Sequence, residues 1–145
     1  NWWTEADKKN FDARTKVLVD YFSKVEALPG KFINGKLTLG ENIGDNGGLD
    51  IAFRAMENEF KANPSAAKTI GGFTPEQRFF LSWATVWAGN ARPEFIDRQI
   101  NTDPHSPAEA RVNAALPQID AWYKAFNVKK SDKLFIPKNK RAQIW

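Results

Sequence analysis

A chain of 145 residues, 42% hydrophobic and 13% aromatic, is long and apolar enough to fold as one domain around a real core, and it is not a disordered segment. It holds no Cys, which excludes disulfides, thiolate zinc sites and a cysteine nucleophile, and no apolar run reaches the roughly 18 residues of a membrane span. The net charge of +4 comes with a late basic cluster, Lys129, Lys130, Lys133, Lys138, Lys140 and Arg141, which reads as a solvated tail and not as a nucleic-acid surface.

No secretory signal pattern is present, and the start at Asn1 without Met reads as processing or trimming, with targeting information expected upstream. Thr4 is placed to cap a first helix with Asp7 at its third position. Phe11, Leu18, Phe22 and Val25 follow at helical spacing until Pro29-Gly30. Asn34-Gly35 is a turn signal between Phe32-Ile33 and Lys36-Leu37-Thr38-Leu39, with flanks too short for more than a small hairpin. A second helix is predicted from about Leu39 to Phe60, and Asn63-Pro64-Ser65 and Gly71-Gly72 bound a loop. Thr74-Pro75-Glu76-Gln77 is a capping box. The helix it opens carries Phe79, Phe80, Leu81, Trp83, Val86 and Trp87, so burial on most faces is expected. Ser106-Pro107-Ala108-Glu109 reads as another capping box, opening a helix that carries Arg111 and breaks at Pro117. Ile119, Trp122, Tyr123 and Phe126 then mark a short amphipathic helix. The fold class is mainly α, one domain over 1–145, with no internal repeat. Six Trp and eleven Phe exceed what one small core needs, so some are expected to face a partner.

Glu41 and Asp45 lie four residues apart in Gly40-Glu41-Asn42-Ile43-Gly44-Asp45-Asn46-Gly47-Gly48. At about 100° per residue they share a helix face with Leu49, Ala52, Met56 and Phe60, and so point toward the interior. An unpaired charge there is very costly, and a cation is expected to meet it. Spacing leaves two answers open, a metal ion or a salt bridge to Arg or Lys, and by itself favours the salt bridge. Gly44, Gly47 and Gly48 each cost about 1 kcal/mol in a helix relative to Ala. Either another backbone approaches closely there, or the helix starts later, near Leu49.

His105 is the only histidine and sits in Thr102-Asp103-Pro104-His105-Ser106-Pro107. A helix start disfavours its imidazolium while Asp103 favours it. With Arg111 it is able to receive an anionic or polarised oxygen; the alternative, slightly favoured on these residues alone, is a solvated loop histidine and a surface arginine. There is no G-x-S-x-G elbow, P-loop, dinucleotide fingerprint or H-E-x-x-H motif.

Taken in order, these motifs resemble the C-terminal part of the neprilysin-like zinc metallopeptidases, the M13 family, nearly end to end. Asn1-Trp2-Trp3-Thr4 resembles the tryptophan-rich start of that region, and the run from Asn34 to Leu49 its E-N-I-x-D-x-G-G block. Phe79-Phe80-Leu81, Val86-Trp87, Arg92-Pro93-Glu94, Thr102 to Pro107 and the terminal Trp145 follow in family order. The resemblance implies a helical C-terminal subdomain of a zincin-type metallopeptidase, and a zinc-dependent endopeptidase as the parent. It implies that Glu41 is the third zinc ligand and that Asp45 supports a zinc-binding histidine. It implies that His105 stabilises the oxyanion, with Asp103 orienting it, and that Arg111 holds a substrate carbonyl. Trp87 is placed near the pocket for the side chain after the scissile bond. The implied cofactor is one zinc ion in the parent, which polarises the carbonyl and activates water, with the H-E-x-x-H glutamate as general base.

That helix is absent from this chain, as are the family's substrate-binding strand and large N-terminal domain, so a fragment, inactive alone, is expected. The implied partners are an oligopeptide substrate and the missing N-terminal part of the same polypeptide, with self-association through exposed apolar surface. The lack of Cys points to a bacterial PepO-type member, and the family implies an extracytoplasmic location. The rival reading is a helical binding or structural module that keeps the peptidase fold without its activity; intact Glu41, Asp45, His105 and Arg111 argue against it.

Overall fold

The computed structural model describes residues 2–144, so Asn1 of the tryptophan motif and the terminal Trp145 lie outside the described residues. Six α-helices among the described residues are α1 Glu5–Phe22, α2 Leu39–Ala62, α3 Pro75–Val86, α4 Pro93–Thr102, α5 Ala108–Asn113 and α6 Asp120–Phe126. One antiparallel ribbon joins β1 Glu26–Leu28 to β2 Lys31–Phe32. The two strong caps form as read. The Thr4 hydroxyl accepts from Asp7 N at 3.1 Å, and that of Thr74 from Gln77 N at 3.3 Å.

The hairpin turns at Pro29-Gly30, not at Asn34-Gly35. Gly30 takes the left-handed backbone at φ +72°, and its N–H donates to Glu26 Oε1 at 2.6 Å. Helix α1 therefore stops at Phe22, short of Val25. Gly35 serves a different purpose: a Cβ there would lie 2.3 Å from the Val19 carbonyl oxygen, so only Gly lets the chain pass the end of α1. The Asn34 side chain accepts from Leu37 N at 3.0 Å and bends the chain into α2.

Two apolar clusters hold the molecule. One joins Leu18 and Phe22 of α1 to Ile33, Ile100 of α4, Ala110, Ala114, Ala142 and Ile144. The other joins Leu49 and Phe53 of α2 to Phe80 of α3, Leu116 and Ile119, with Phe53 and Phe80 stacked at 5.3 Å. Each fully buried Leu or Phe contributes about 1.5–3 kcal/mol. Sequence periodicity did not place α4, which starts on Pro93 and buries Ile100.

Helix α3 departs from its expected burial. Only Pro75 and Phe80 are buried, while Val86 is 68% exposed, as is Ile51 of α2. The basic tail is docked at its end: Arg141 stacks on the Tyr123 ring at 3.3 Å and pairs with Asp120 at 2.6 Å.

Candidate active-site edge

The first turns of α2 carry Glu41, Asn42 and Asp45, and the segment from Asp103 through α5 lies against them. The sequence pattern places a helix cap at Ser106. Instead α5 starts at Ala108 behind Pro107 with no side-chain cap, and the Ser106 hydroxyl donates to Asn42 Oδ1 at 2.8 Å.

The residues of the two motifs meet in crossed pairs, Glu41 with His105 and Asp45 with Arg111. His105 Nδ1 is 2.7 Å from Asp103 Oδ1, and His105 Nε2 is 3.2 Å from Glu41 Oε2. The imidazole is thus flanked by a carboxylate on each ring nitrogen. The His105 backbone N–H also donates to Asp103 Oδ1 at 2.8 Å. That backbone bond, then the ring, hold the Asp103 carboxyl below the usual carboxylate range. Glu41 does not follow the stripe inward; its side chain is 44% exposed, because the first turn of α2 stands at the edge of the core.

Asp45 does go inward, and its cation is Arg111. Arg111 Nε donates to Asp45 Oδ2 at 2.7 Å and Nη2 to Oδ1 at 2.6 Å, with both side chains almost fully buried. Of the two answers left open by spacing, the salt bridge is the one Asp45 takes. The guanidinium also lies 3.8 Å over the Trp87 ring, and Trp83 Nε1 donates to the Arg111 carbonyl at 2.9 Å. So Arg111 is not a surface arginine, while His105 is an exposed loop histidine, held on its two ring nitrogens by Asp103 and Glu41.

Two concavities border this arrangement. A cavity of about 820 Å³ opens beside Trp87, His105 and Arg111, with Phe95, Ile96 and Leu134 along its wall. A shallower apolar groove of about 350 Å³ runs between α2 and α3, past Gly44, Gly48, Leu49, Phe79 and Val86. A catalytic zinc takes three protein ligands. Among the described residues no group of three or more His, Cys, Asp or Glu is placed to hold a metal ion. Asn42, Ser106 and Trp83 were not singled out from sequence. Ser106 resembled a cap, Asn42 sat unassigned inside the Glu41 motif, and Trp83 looked like core.

A mainly helical unit of this architecture recurs in a zinc metalloprotease of known structure. The chain belongs to peptidase family M13, whose model matches residues 1–142. It is 35% identical over its full length to human neprilysin, of which it covers 20%. The zinc metalloprotease Zmp1 of Mycobacterium tuberculosis, solved with an inhibitor, superposes on the whole chain with TM-score 0.92 and 40% identity, 23% of Zmp1 being covered. PepO from Lactobacillus rhamnosis matches the whole chain with TM-score 0.81 and 35% identity, 21% of it being covered. The chain thus spans about a fifth of the length of these relatives.

Proposed function

We propose that this chain is the C-terminal catalytic subdomain of a zinc-dependent endopeptidase, supplying one metal ligand and the groups that face the reacting carbonyl. The observation that carries the reading is the half-exposed row Glu41–His105–Asp103 standing beside the buried Asp45–Arg111 pair in a chain of family M13.

Glu41 is the one ligand this chain offers. Bound zinc supplies Lewis acidity toward the peptide carbonyl and the attacking water. His105 is anchored through Nδ1 by Asp103, and its Nε2, which faces Glu41 in this chain, is the group that would donate to an oxyanion developing on the substrate when Glu41 serves the metal. Arg111 uses Nε and one Nη2 hydrogen on Asp45. Of the five donors of a guanidinium, three remain, and these serve a substrate carbonyl. Trp87 under the guanidinium restrains its tilt and lines the cavity that takes a substrate side chain. The Asp45 carboxylate keeps lone pairs beyond the two Arg111 occupies, enough to support a zinc-binding histidine as well.

The general base and remaining ligands come from the rest of the polypeptide. The apolar groove between α2 and α3 is its seat, since Val86 and Ile51 stand uncovered nearby. The substrate is an oligopeptide, and the protein works outside the bacterial cytoplasm, which cell fractionation checks.

In the complete protein, Glu41→Ala is expected to lose zinc and regain part of its activity at high zinc. His105→Ala is expected to keep zinc and lose about 10²–10³ in kcat, the scale of one oxyanion donor. Metal analysis beside steady-state rates reads both. A histidine variant without zinc, or a glutamate variant with full zinc, would show these roles to be wrong. The 145-residue chain alone is expected to leave a quenched fluorescent peptide uncut with or without zinc, and zinc-dependent turnover would sink the fragment reading.

A further inference from the structure

We infer that Asn42 and Ser106 are positioning residues whose buried bond sets Glu41 against His105. The purpose of that setting rests on the peptidase reading; the setting itself rests on geometry. Glu41 and His105 have side chains 44% and 46% exposed. An exposed ion pair of this kind is too weak to hold two remote segments in register.

Their immediate neighbours do hold them. The Ser106 hydroxyl donates to Asn42 Oδ1 at 2.8 Å across 64 residues of sequence. Asn42 Nδ2 donates to Thr38 Oγ1 at 3.0 Å, and the Thr38 hydroxyl donates to the Asn34 carbonyl at 3.1 Å. Ser106, Asn42 and Thr38 are 1%, 3% and 0% exposed. No water replaces a lost partner at such depth, so leaving either group unpaired is costly. Sliding α2 along the His105 segment would break the chain of bonds at the Ser106–Asn42 link. Asn42 directly follows Glu41, and Ser106 directly follows His105. One peptide unit joins each buried residue to its exposed neighbour, so anchoring the buried pair restrains the backbone that carries Glu41 and His105. An apolar contact would pack as well but would not fix the register, because it has no direction.

The test compares Ser106→Ala with Tyr123→Phe, which removes a buried hydroxyl bonded to the Pro117 carbonyl at 2.8 Å, remote from the site. His105 is the only histidine, so its ring NMR signals need no further assignment in this chain. Ser106→Ala is expected to move them to the positions seen in Glu41→Ala, where the contact is lost, while Tyr123→Phe leaves them in place. In the complete peptidase, Ser106→Ala is expected to lower kcat about 10-fold with KM little changed. Tyr123→Phe is expected to lower the Tm with kcat intact. If Ser106→Ala does not fold, Thr38→Val, which keeps the volume and removes the acceptor of the Asn42 amide, is read in the same way. Unchanged ring signals, or unchanged kcat in an enzyme whose wild type is active, overturns the inference. A complete wild-type protein without peptidase activity overturns the peptidase reading instead, and the ring signals then decide the positioning role.

Discussion

Glu41 and Asp45 leave the same helix face and end in different surroundings, one half-exposed beside His105 and one buried against Arg111. Their shared face was legible from a spacing of four. Their separate fates were not, because Arg111 lies 66 residues beyond Asp45 and nothing local announces it. The buried pair has a sharp consequence. Asp45→Ala strands a buried guanidinium and is expected to destabilise the chain by about 3–5 kcal/mol, measured by urea unfolding. Arg111→Lys is not a rescue: an ammonium lacks the fork that spans both Asp45 oxygens and the flat face that lies on Trp87. Its unfolding midpoint should fall well below wild type, and a midpoint equal to wild type would mean that the bidentate geometry carries no weight.

Among the elements, the helices with strong local signals formed where the sequence put them. Thr4 and Thr74 cap α1 and α3, and α2 starts at Leu39 as its pattern indicates. Elements whose residues answer to distant partners were misread. Ser106 has the composition of a cap but bonds to α2, and Gly35 has the composition of a hairpin turn but clears the end of α1. Gly35→Ala is accordingly expected to cost about 1–3 kcal/mol, since its Cβ would meet backbone atoms that cannot move aside. Helix α3 was expected to be buried on most faces; its apolar composition is real, but Leu81 and Val86 remain exposed at 38% and 68%. A patch of that kind promotes association. Light scattering should find the chain self-associating at high concentration, and Ile51→Lys with Val86→Lys should make it monomeric at an unchanged Tm. A wild-type chain that stays strictly monomeric would count against a sticky α2–α3 face.

At the scale of the whole molecule, the docked tail ties late residues to early ones. Asp120 receives Arg141 at 2.6 Å and Lys138 at 3.1 Å. Burial pushes its carboxyl upward, but the hydrogen bonds and charges of those two side chains outweigh it and leave the carboxyl below its ordinary value. A carboxyl lowered by folding stabilises the fold above its unfolded value of about 4, and that stabilisation disappears as pH falls through the lower, folded value. Acidification from about pH 5 to pH 3 should therefore lower the Tm less in Asp120→Asn than in the parent chain. Further along, Ala142 and Ile144 lie in the same cluster as Leu18 and Phe22, the Ala142 N–H donates to Gln118 Oε1 at 2.9 Å, and Arg14 reaches the Ile144 carbonyl at 3.0 Å. This closure has a consequence in time. Helix α1 is synthesised long before residues 142–144, and at about 5–20 residues per second its apolar face stays without its last cover for several seconds. A ribosome stalled before residue 142 displays an unfinished core to chaperones and proteases, so losing a few residues here is a fault in the core and not the loss of a tail.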